Sequence, residues 1–490
     1  MEQRTRASNN VVLIHLATHG PRRDAAAQYL DVVNTARKAV YHPYPTVPAG
    51  AILRCEPATC GALSGGGALV KRRRLAVCLD QPPSFILSGI TMFEHVDAYP
   101  GDPILTLNEN FQKDPRQNKV NLSIGIYFDD DGRLPVMQAV HKAEAAILDE
   151  PGPKPYLPMA GFAPYRDAVQ GLVFGQSAAR SQGRIASVQT LGGSGALKVG
   201  ADFIKRYFPH AQVWISDPSW ENHRFIFERA GLTVNTYPYY DEATGGLKFD
   251  AMLAAIDTLP RRSVVLLHAC CHNPTGVDLD RTQWEQLITV LQKRELLPFV
   301  DMAYQGFGAS LDDDAFAVRE LSNRGVPALV ANSFSKNFSL YGERCGGLHV
   351  ICESAAEAER VLGQLTGSVR SNYSNPPTHG AKIVTRVLTT PELTLSWQTE
   401  LAAMCQRIAR MRVAIHDGLH GHVHGEALSR YIKQRGMFTY TGLTADQVER
   451  LREEHGVYIL RSGRMCVAGL NEKNVGPVAE AIAKVLASGG

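Results

Sequence analysis

The stretch "SVVLLHACCHNPTGVDLDRTQWEQLITVLQKRELLPFVDMAY" (residues 263–304) decides the fold class. Its first ten residues form a short, nearly unbroken apolar run that reads as a strand. "HNPTG" is a turn. "RTQWEQLITVLQKRE" carries the apolar spacing of a helix, and "LLPFVDMAY" is again an apolar strand. A strand that is apolar at almost every position is covered on both faces, as strands of parallel sheets are. Parallel neighbours need a long crossover, and the helix supplies it. The stretch is therefore one strand–helix–strand unit of an α/β protein.

The alternation continues on both sides. "AQVWISDP", "PALVANSF" and "GGLHVICE" read as further strands, and "SGALKVGADFIKRYF" (Ser194–Phe208) and "NHRFIFERAG", closed by Gly231, as helices. Toward the C-terminus the pattern changes. Trp397, Leu401, Met404, Ile408, Met411 and Ile415 step by three and four along one face of a long amphipathic helix. "TADQVERLREEHG" opens with Thr444 and Gln447 in capping-box spacing and ends on Gly456. "KNVGPVAEAIAKVLA" closes the chain as another helix. These segments predict a second, smaller α/β domain.

Composition narrows the function classes. The chain has 490 residues, 44% hydrophobic and 20% charged, enough for two domains and a sizeable core. No stretch approaches the roughly 20 apolar residues of a membrane helix. Nine cysteines without regular spacing and without a CxxC pair argue against a disulfide framework or a zinc cluster, and no metal is expected. Cys270 and Cys271, inside an apolar run, are read as packing residues. The net charge of +3 conceals an asymmetry: residues 1–91 hold 11 Lys+Arg against 5 Asp+Glu, and the rest 40 against 43. The main body has no basic excess for nucleic acid.

Residues 1–91 show neither helical nor alternating period. They read as a poorly structured extension, or as sequence upstream of a natural start at Met92. A basic DNA-binding appendage is the sharper alternative, but no helix-turn-helix pattern supports it. "VVLIHLA" (Val11–Ala17) lacks the length and cleavage site of a signal peptide, so a cytoplasmic location is expected.

Polar residues collect where strands end, which is where ligand chemistry sits in such sheets. Asp301 and Tyr304 follow "LLPFV", Asn273 follows "LLHACCH", and Ser333, Ser335 and Lys336 follow "PALVAN". Gly192, Gly193 and Ser194 open a helix, a plain capping turn or a seat for an anion. Lys336 has two readings. Alone it is a surface lysine whose stem lies on apolar neighbours. Buried, it loses its charge readily and becomes a nucleophile toward an aldehyde. Arg344 and the two serines would then clamp a dianion, and a carbonyl cofactor bearing a phosphate meets all these demands.

"SFSKNFSLYGER", "CCHNPTG", "DMAYQGF", "SNYSNPPTHG", "SDPSWENH" and "QTLGGSGALK" together resemble class I aminotransferases of the aspartate/aromatic group. The resemblance runs from about Met92 to the C-terminus and leaves residues 1–91 without a counterpart. It implies the type I fold of pyridoxal-phosphate enzymes. A large domain (136–403) with a mostly parallel seven-stranded sheet carries the cofactor, and 92–135 with 404–490 form the small domain. Lys336 resembles the lysine that holds pyridoxal 5′-phosphate and moves the substrate's proton. Asp301, with His223 behind it, resembles the partner of the ring nitrogen. Tyr304 and Asn273 would bond the ring's 3′ oxygen, and Trp220 would stack on the ring. Gly193, Ser194, Ser333, Ser335 and Arg344 would hold the phosphate. Arg464 resembles the grip on the α-carboxylate, and Gly125 lies beside the substrate. Arg370 resembles an arginine that reaches a distal carboxylate from the neighbouring subunit, and Tyr156 a tyrosine that reaches the partner's phosphate. A homodimer with shared sites follows from the resemblance.

The entrance separates the subgroups. Dicarboxylate-specific relatives carry a lysine and a threonine where this chain has Phe128 and Leu134. Pro155 and Ser194 also depart from the aspartate pattern, whereas Asn375 keeps it. The expectation is transamination of phenylalanine, tyrosine and tryptophan with 2-oxoglutarate, with aspartate also accepted. An aspartate aminotransferase of narrow specificity, another reaction on the same cofactor, and a regulator with a DNA-binding extension are the alternatives.

Overall fold

The computed structural model describes residues 92–99 and 101–487, so the expectations for residues 1–91 lie outside the described residues. Seven strands form the central sheet: β1 (Ile185–Leu191), β2 (Gln212–Asp217), β3 (Thr233–Pro238), β4 (Val264–His268), β5 (Leu297–Met302), β6 (Ala328–Ser333) and β7 (Cys345–Ile351). Their order is β1-β7-β6-β5-β4-β2-β3. Only β7 runs against its neighbours; the other pairings are parallel. Five strands coincide with the apolar runs in the sequence. β1 and β3 were not expected. β1 holds Ser187, Gln189 and Thr190 in the interior, and β3 is a half-exposed edge, so neither reads as an apolar run.

The helices needed here are α1 (Pro103–Lys113), α2 (Gly192–Tyr207), α3 (Glu221–Arg229), α4 (Arg281–Lys293), α5 (Pro391–Leu419), α6 (Ala445–His455) and α7 (Val475–Ala487). Asp280 and Gln283 form a capping box that starts α4. Thr444 and Gln447 do the same for α6, which Gly456 ends in the left-handed conformation at φ +69°. All six apolar positions read along α5 are buried. Each stabilises the fold by about 1.5–3 kcal/mol relative to exposure.

Helix α5 also fixes the loop after β6. Trp397 Nε1 donates to Asn337 O at 2.7 Å, and its ring lies 4.6 Å from that of Phe338. From the other side Asn337 Nδ2 donates to Gln305 O at 3.2 Å. Asn337, the residue after Lys336, is thus anchored from two sides. Outside the central sheet, Val120–Asn121 pairs with Val457–Tyr458 and Phe438–Tyr440 with Arg464–Cys466. The second pairing brings Phe438 and Arg464 over the strand ends. Among the described residues no helix is long and apolar enough to cross a membrane.

Candidate active site

The carboxyl ends of β2, β4, β5 and β6 face the amino end of α2, and a cavity of about 220 Å³ lies between them. β7 runs the other way, so its first residues, with Arg344 just before them, reach the same edge. Twelve residues singled out in the sequence line this cavity: Gly125, Gly193, Ser194, Trp220, Asn273, Asp301, Tyr304, Ser333, Ser335, Lys336, Arg344 and Arg464. They come from segments more than 300 residues apart, which the sheet topology gathers at one edge.

Lys336 stands in the cavity wall, its Nζ 4.9 Å from the centre of the Tyr304 ring. Burial pulls its amine down to about 8; Asp301 opposes this, and the cations Arg344 and Arg464 add to it. A larger share of neutral amine is therefore present near pH 7 than in a free lysine. Asp301 is buried. Its Oδ2 is 3.0 Å from His223 Nε2, whose Nδ1 is in turn 2.9 Å from Ser219 Oγ. Burial raises the Asp301 carboxyl, but the His223 hydrogen bond and the nearby His223 and Lys336 outweigh it and hold the group below the usual carboxylate range. A buried, ionised carboxylate in this position suits a protonated ring nitrogen of a ligand.

At the anion end, no side chain caps α2; the Gly192 N–H donates to Arg344 O at 2.9 Å, and the N–H groups that follow it in the first turn face a ligand without a side-chain cap. Gly192 has φ +66°, and a Cβ there would stand 2.9 Å from Arg344 Nη2. Arg344 Nη1 donates to Ser335 Oγ at 3.3 Å, and Ser335 Oγ is 3.1 Å from Ser333 Oγ. Helix terminus, two hydroxyls and a guanidinium converge as a phosphate requires.

Arg464 is only 3% exposed. Its Nη2 donates to Ser123 O at 2.6 Å and its Nη1 to Asn273 Oδ1 at 3.2 Å. Nε has no partner, and no carboxylate pairs with the group among the described residues. A buried guanidinium without a counter-ion is costly unless a ligand supplies one. The Phe438 ring lies 4.4 Å from Arg464 Cζ and supports it from below. Gly125 preserves the space above that ring, since a Cβ there would stand 2.8 Å from Phe438 Cζ. The donor set fits pyridoxal phosphate: an amine, an ionised carboxylate, an anion cradle, and an unpaired arginine for a substrate carboxylate.

Tyr156 and Arg370 do not line the cavity of their own chain. Tyr156 is 90% exposed. Arg370 lies exposed in the last turn of the helix Ala355–Asn372, where its Nη1 bonds Ser374 Oγ. Sequence reasoning missed His268, Phe438 and Ile104, which also line the cavity. His268 ends β4 at the register position facing Asp301, so the strand-end argument that found Asp301 applied to it too. Burial, with His223, pushes its imidazole down to about 3 against the pull of Asp301, so it is neutral. Phe438 carries no local signal; a distant three-residue strand brings it in.

A family model described as "Aminotransferase class I and II" matches residues 117–482. The chain is similar to the tyrosine aminotransferase of Klebsiella pneumoniae, at 57% identity over 397 residues, covering 81% of this chain and 100% of the relative. Its structure resembles that of an aromatic amino acid aminotransferase from Burkholderia cenocepacia J2315, with 78% identity and a TM-score of 0.79, covering 82% of this chain and 100% of the other. It also resembles an aromatic-amino-acid aminotransferase from Burkholderia pseudomallei covalently bound to pyridoxal phosphate. There the identity is 51% and the TM-score 0.79, covering 81% of this chain and 100% of the other.

Proposed function

The chain belongs to the class I and II aminotransferases, and from that membership we propose that it transfers the amino group of aromatic L-amino acids to 2-oxoglutarate and also accepts aspartate. The observation that carries the reading is the buried, unpaired Arg464 in one cavity with the depressed amine of Lys336. One group meets an α-carboxylate and the other acts at the α-carbon it positions. The apolar Phe128 and Leu134, which the resemblance places at the entrance, and the names of the relatives support the aromatic preference.

Pyridoxal 5′-phosphate is the cofactor, and when bound it supplies the electron-withdrawing ring that lets an amino group pass between two carbon skeletons. The chain's own residues do the rest. Lys336 Nζ holds the cofactor and carries the proton to and from the substrate α-carbon, as an amine near neutral pH is suited to do. Asp301, kept ionised and oriented by His223, stabilises positive charge at the ring nitrogen. Tyr304 and Asn273, which line the cavity, would hydrogen-bond the ring's oxygen. Trp220, in the cavity wall, would cover one face of the ring and exclude water. The first turn of α2 with Ser333, Ser335 and Arg344 anchors the phosphate. Arg464 fixes the substrate's α-carboxylate and so aims the α-hydrogen at Lys336.

The active form is a cytoplasmic homodimer in which Arg370 meets the distal carboxylate of a dicarboxylic substrate, and Tyr156 the phosphate, across the interface. Their exposure in a single chain supports this placement. The six described cysteines are unpaired, as a reducing compartment leaves them. The small domain comprises 92–135 with 404–490, and the large domain 136–403. In support, every strand of the central sheet falls between 185 and 351, while the pairings outside it join 120–121 to 457–458 and 438–440 to 464–466.

The test is a comparison of kcat/KM for phenylalanine, tyrosine and aspartate with 2-oxoglutarate, following glutamate formed. Turnover of all three, with aromatic substrates at least equal to aspartate, is expected. Turnover of aspartate alone would make this a dicarboxylate-specific aminotransferase. Release of oxo acid without an amino acceptor would indicate a different reaction.

A further inference from the structure

A second polar cluster lies off the end of β4, outside the cavity lining. Consecutive residues of an extended strand point to opposite faces. At Cys271 the backbone turns to φ +52°, a conformation costing about 1–2 kcal/mol for a residue with a Cβ. The alternation breaks, and the sulfurs of Cys270 and Cys271 converge with a carboxylate oxygen of Asp314, all within 4.8 Å of one another. The three residues are buried.

Asp314 is the unusual member. It is 5% exposed and accepts from the N–H groups of Gly306, Gly308 and Ala309 at 2.8–2.9 Å. Among the described residues no lysine, arginine or histidine forms an ion pair with it. Three amides soften the cost of this buried anion but leave its charge uncompensated. A third thiol, Cys405, lies close enough to feel the charge of Asp314. Cys405 lines a separate cavity of about 730 Å³, together with Gly306, Ala309 and Leu311 of the loop that Asp314 caps. That cavity reaches the side of the cluster where Cys405 stands.

We propose that Cys270, Cys271 and Asp314 form a binding site for one soft divalent cation of the zinc and cadmium class, with Cys405 beside it. Two thiolates and a carboxylate are the ligands such ions prefer. Zinc–sulfur bonds of about 2.3 Å in tetrahedral geometry set ligand atoms about 3.8 Å apart, so the cluster closes on the ion by side-chain movements of at most about 1 Å. Each thiol passes its proton to solvent as its sulfur–metal bond forms. Two protons leave and one dication enters, so the net charge of the cluster stays that of the lone Asp314 carboxylate. The ion's two charges balance the two thiolates formed, and the Asp314 carboxylate adds a third ligand atom.

The test uses the full-length holoenzyme and cadmium chloride, read by the ultraviolet sulfur-to-cadmium charge-transfer band. Cys55, Cys60 and Cys78 lie outside the described residues, so the signal is assigned residue by residue. Cadmium is expected to add a band that Cys270→Ser and Cys271→Ser each abolish or reduce at least about twofold, that Asp314→Asn weakens, and that Cys352→Ser leaves unchanged. Should the serine variants not fold, thiol alkylation of the wild-type protein with and without cadmium, mapped by mass spectrometry, replaces them. Slower labelling of Cys270 and Cys271, with Cys352 and Cys466 unaffected, supports the site. No band, a band untouched by the Cys270 and Cys271 variants, or equal labelling with and without cadmium overturns it.

Discussion

Arg464 and Arg370 are both assigned to carboxylates, yet the fold treats them oppositely. Arg464 is buried against Phe438 and bonded to Ser123 O and Asn273, in the same cavity as Lys336. Arg370 is exposed on a helix and, among the described residues, its side chain bonds only the nearby Ser374. The difference is physical. A guanidinium kept out of water without an anion is tolerable only where the next event brings one. An exposed guanidinium costs nothing while it waits. On the proposed reading, one chain builds the part of the site common to every substrate, and the part that distinguishes a dicarboxylate is presented to another copy.

Changes on the buried side should have the largest effects. Lys336→Ala removes the group that transfers the proton, and kcat should fall at least about 10³-fold for aromatic and dicarboxylic substrates alike. Arg464→Leu should lower kcat/KM about 10²–10³-fold for both classes, since both present an α-carboxylate to it. Arg370→Leu sharpens the comparison. The kcat/KM for aspartate should drop about 10²-fold and that for phenylalanine less than about tenfold. Equal losses for the two would erase the distinction drawn here. The pair Phe128→Lys with Leu134→Thr should move the phenylalanine-to-aspartate ratio toward aspartate by about tenfold, within the 1–3 kcal/mol that apolar contacts contribute to discrimination.

The smallest effect concerns the Lys336 amine. Its folded value of about 8 lies below the ordinary lysine value of 10.5. Between those values the unfolded chain binds a proton that the folded chain does not. Below about pH 8 the buried ammonium therefore costs stability, and this cost fades as the pH rises toward 10.5. In protein stripped of cofactor, the rate at which Lys336 captures added pyridoxal phosphate should rise about tenfold between about pH 7 and pH 9, following the neutral amine. A midpoint near that of a free lysine would mean that burial does not tune this group.

Much of this architecture is legible in the sequence because apolar strands and the polar residues after them obey one rule. β2, β4, β5, β6 and β7 are apolar runs, and Asn273, Asp301, Ser333, Ser335 and Lys336 follow such runs. β1 breaks the rule because its buried Ser187 and Gln189 are satisfied by distant partners, His349 Nδ1 at 2.7 Å and Pro377 O at 2.7 Å, that no local pattern reveals. β3 breaks it as an edge strand. Individual roles, such as the ring-nitrogen partner or the α-carboxylate grip, came from the family resemblance rather than from spacing. Phe438 was invisible because only the pairing of 438–440 with 464–466 places it under Arg464.

The claim that one chain's cavity is completed by Arg370 of another is tested most directly by mixing two inactive partners. Lys336→Ala and Arg370→Leu chains are unfolded together, refolded and assayed with aspartate, each alone being nearly inactive. In a hybrid dimer the intact Lys336 sits in one chain and the intact Arg370 in the other. If the site is shared, random pairing should restore aspartate turnover to about a quarter of the wild-type value, because about half the dimers are hybrid and each has one complete site. If the mixture stays as inactive as its components, Arg370 serves the cavity of its own chain or none, and the account of a site built from two copies is wrong.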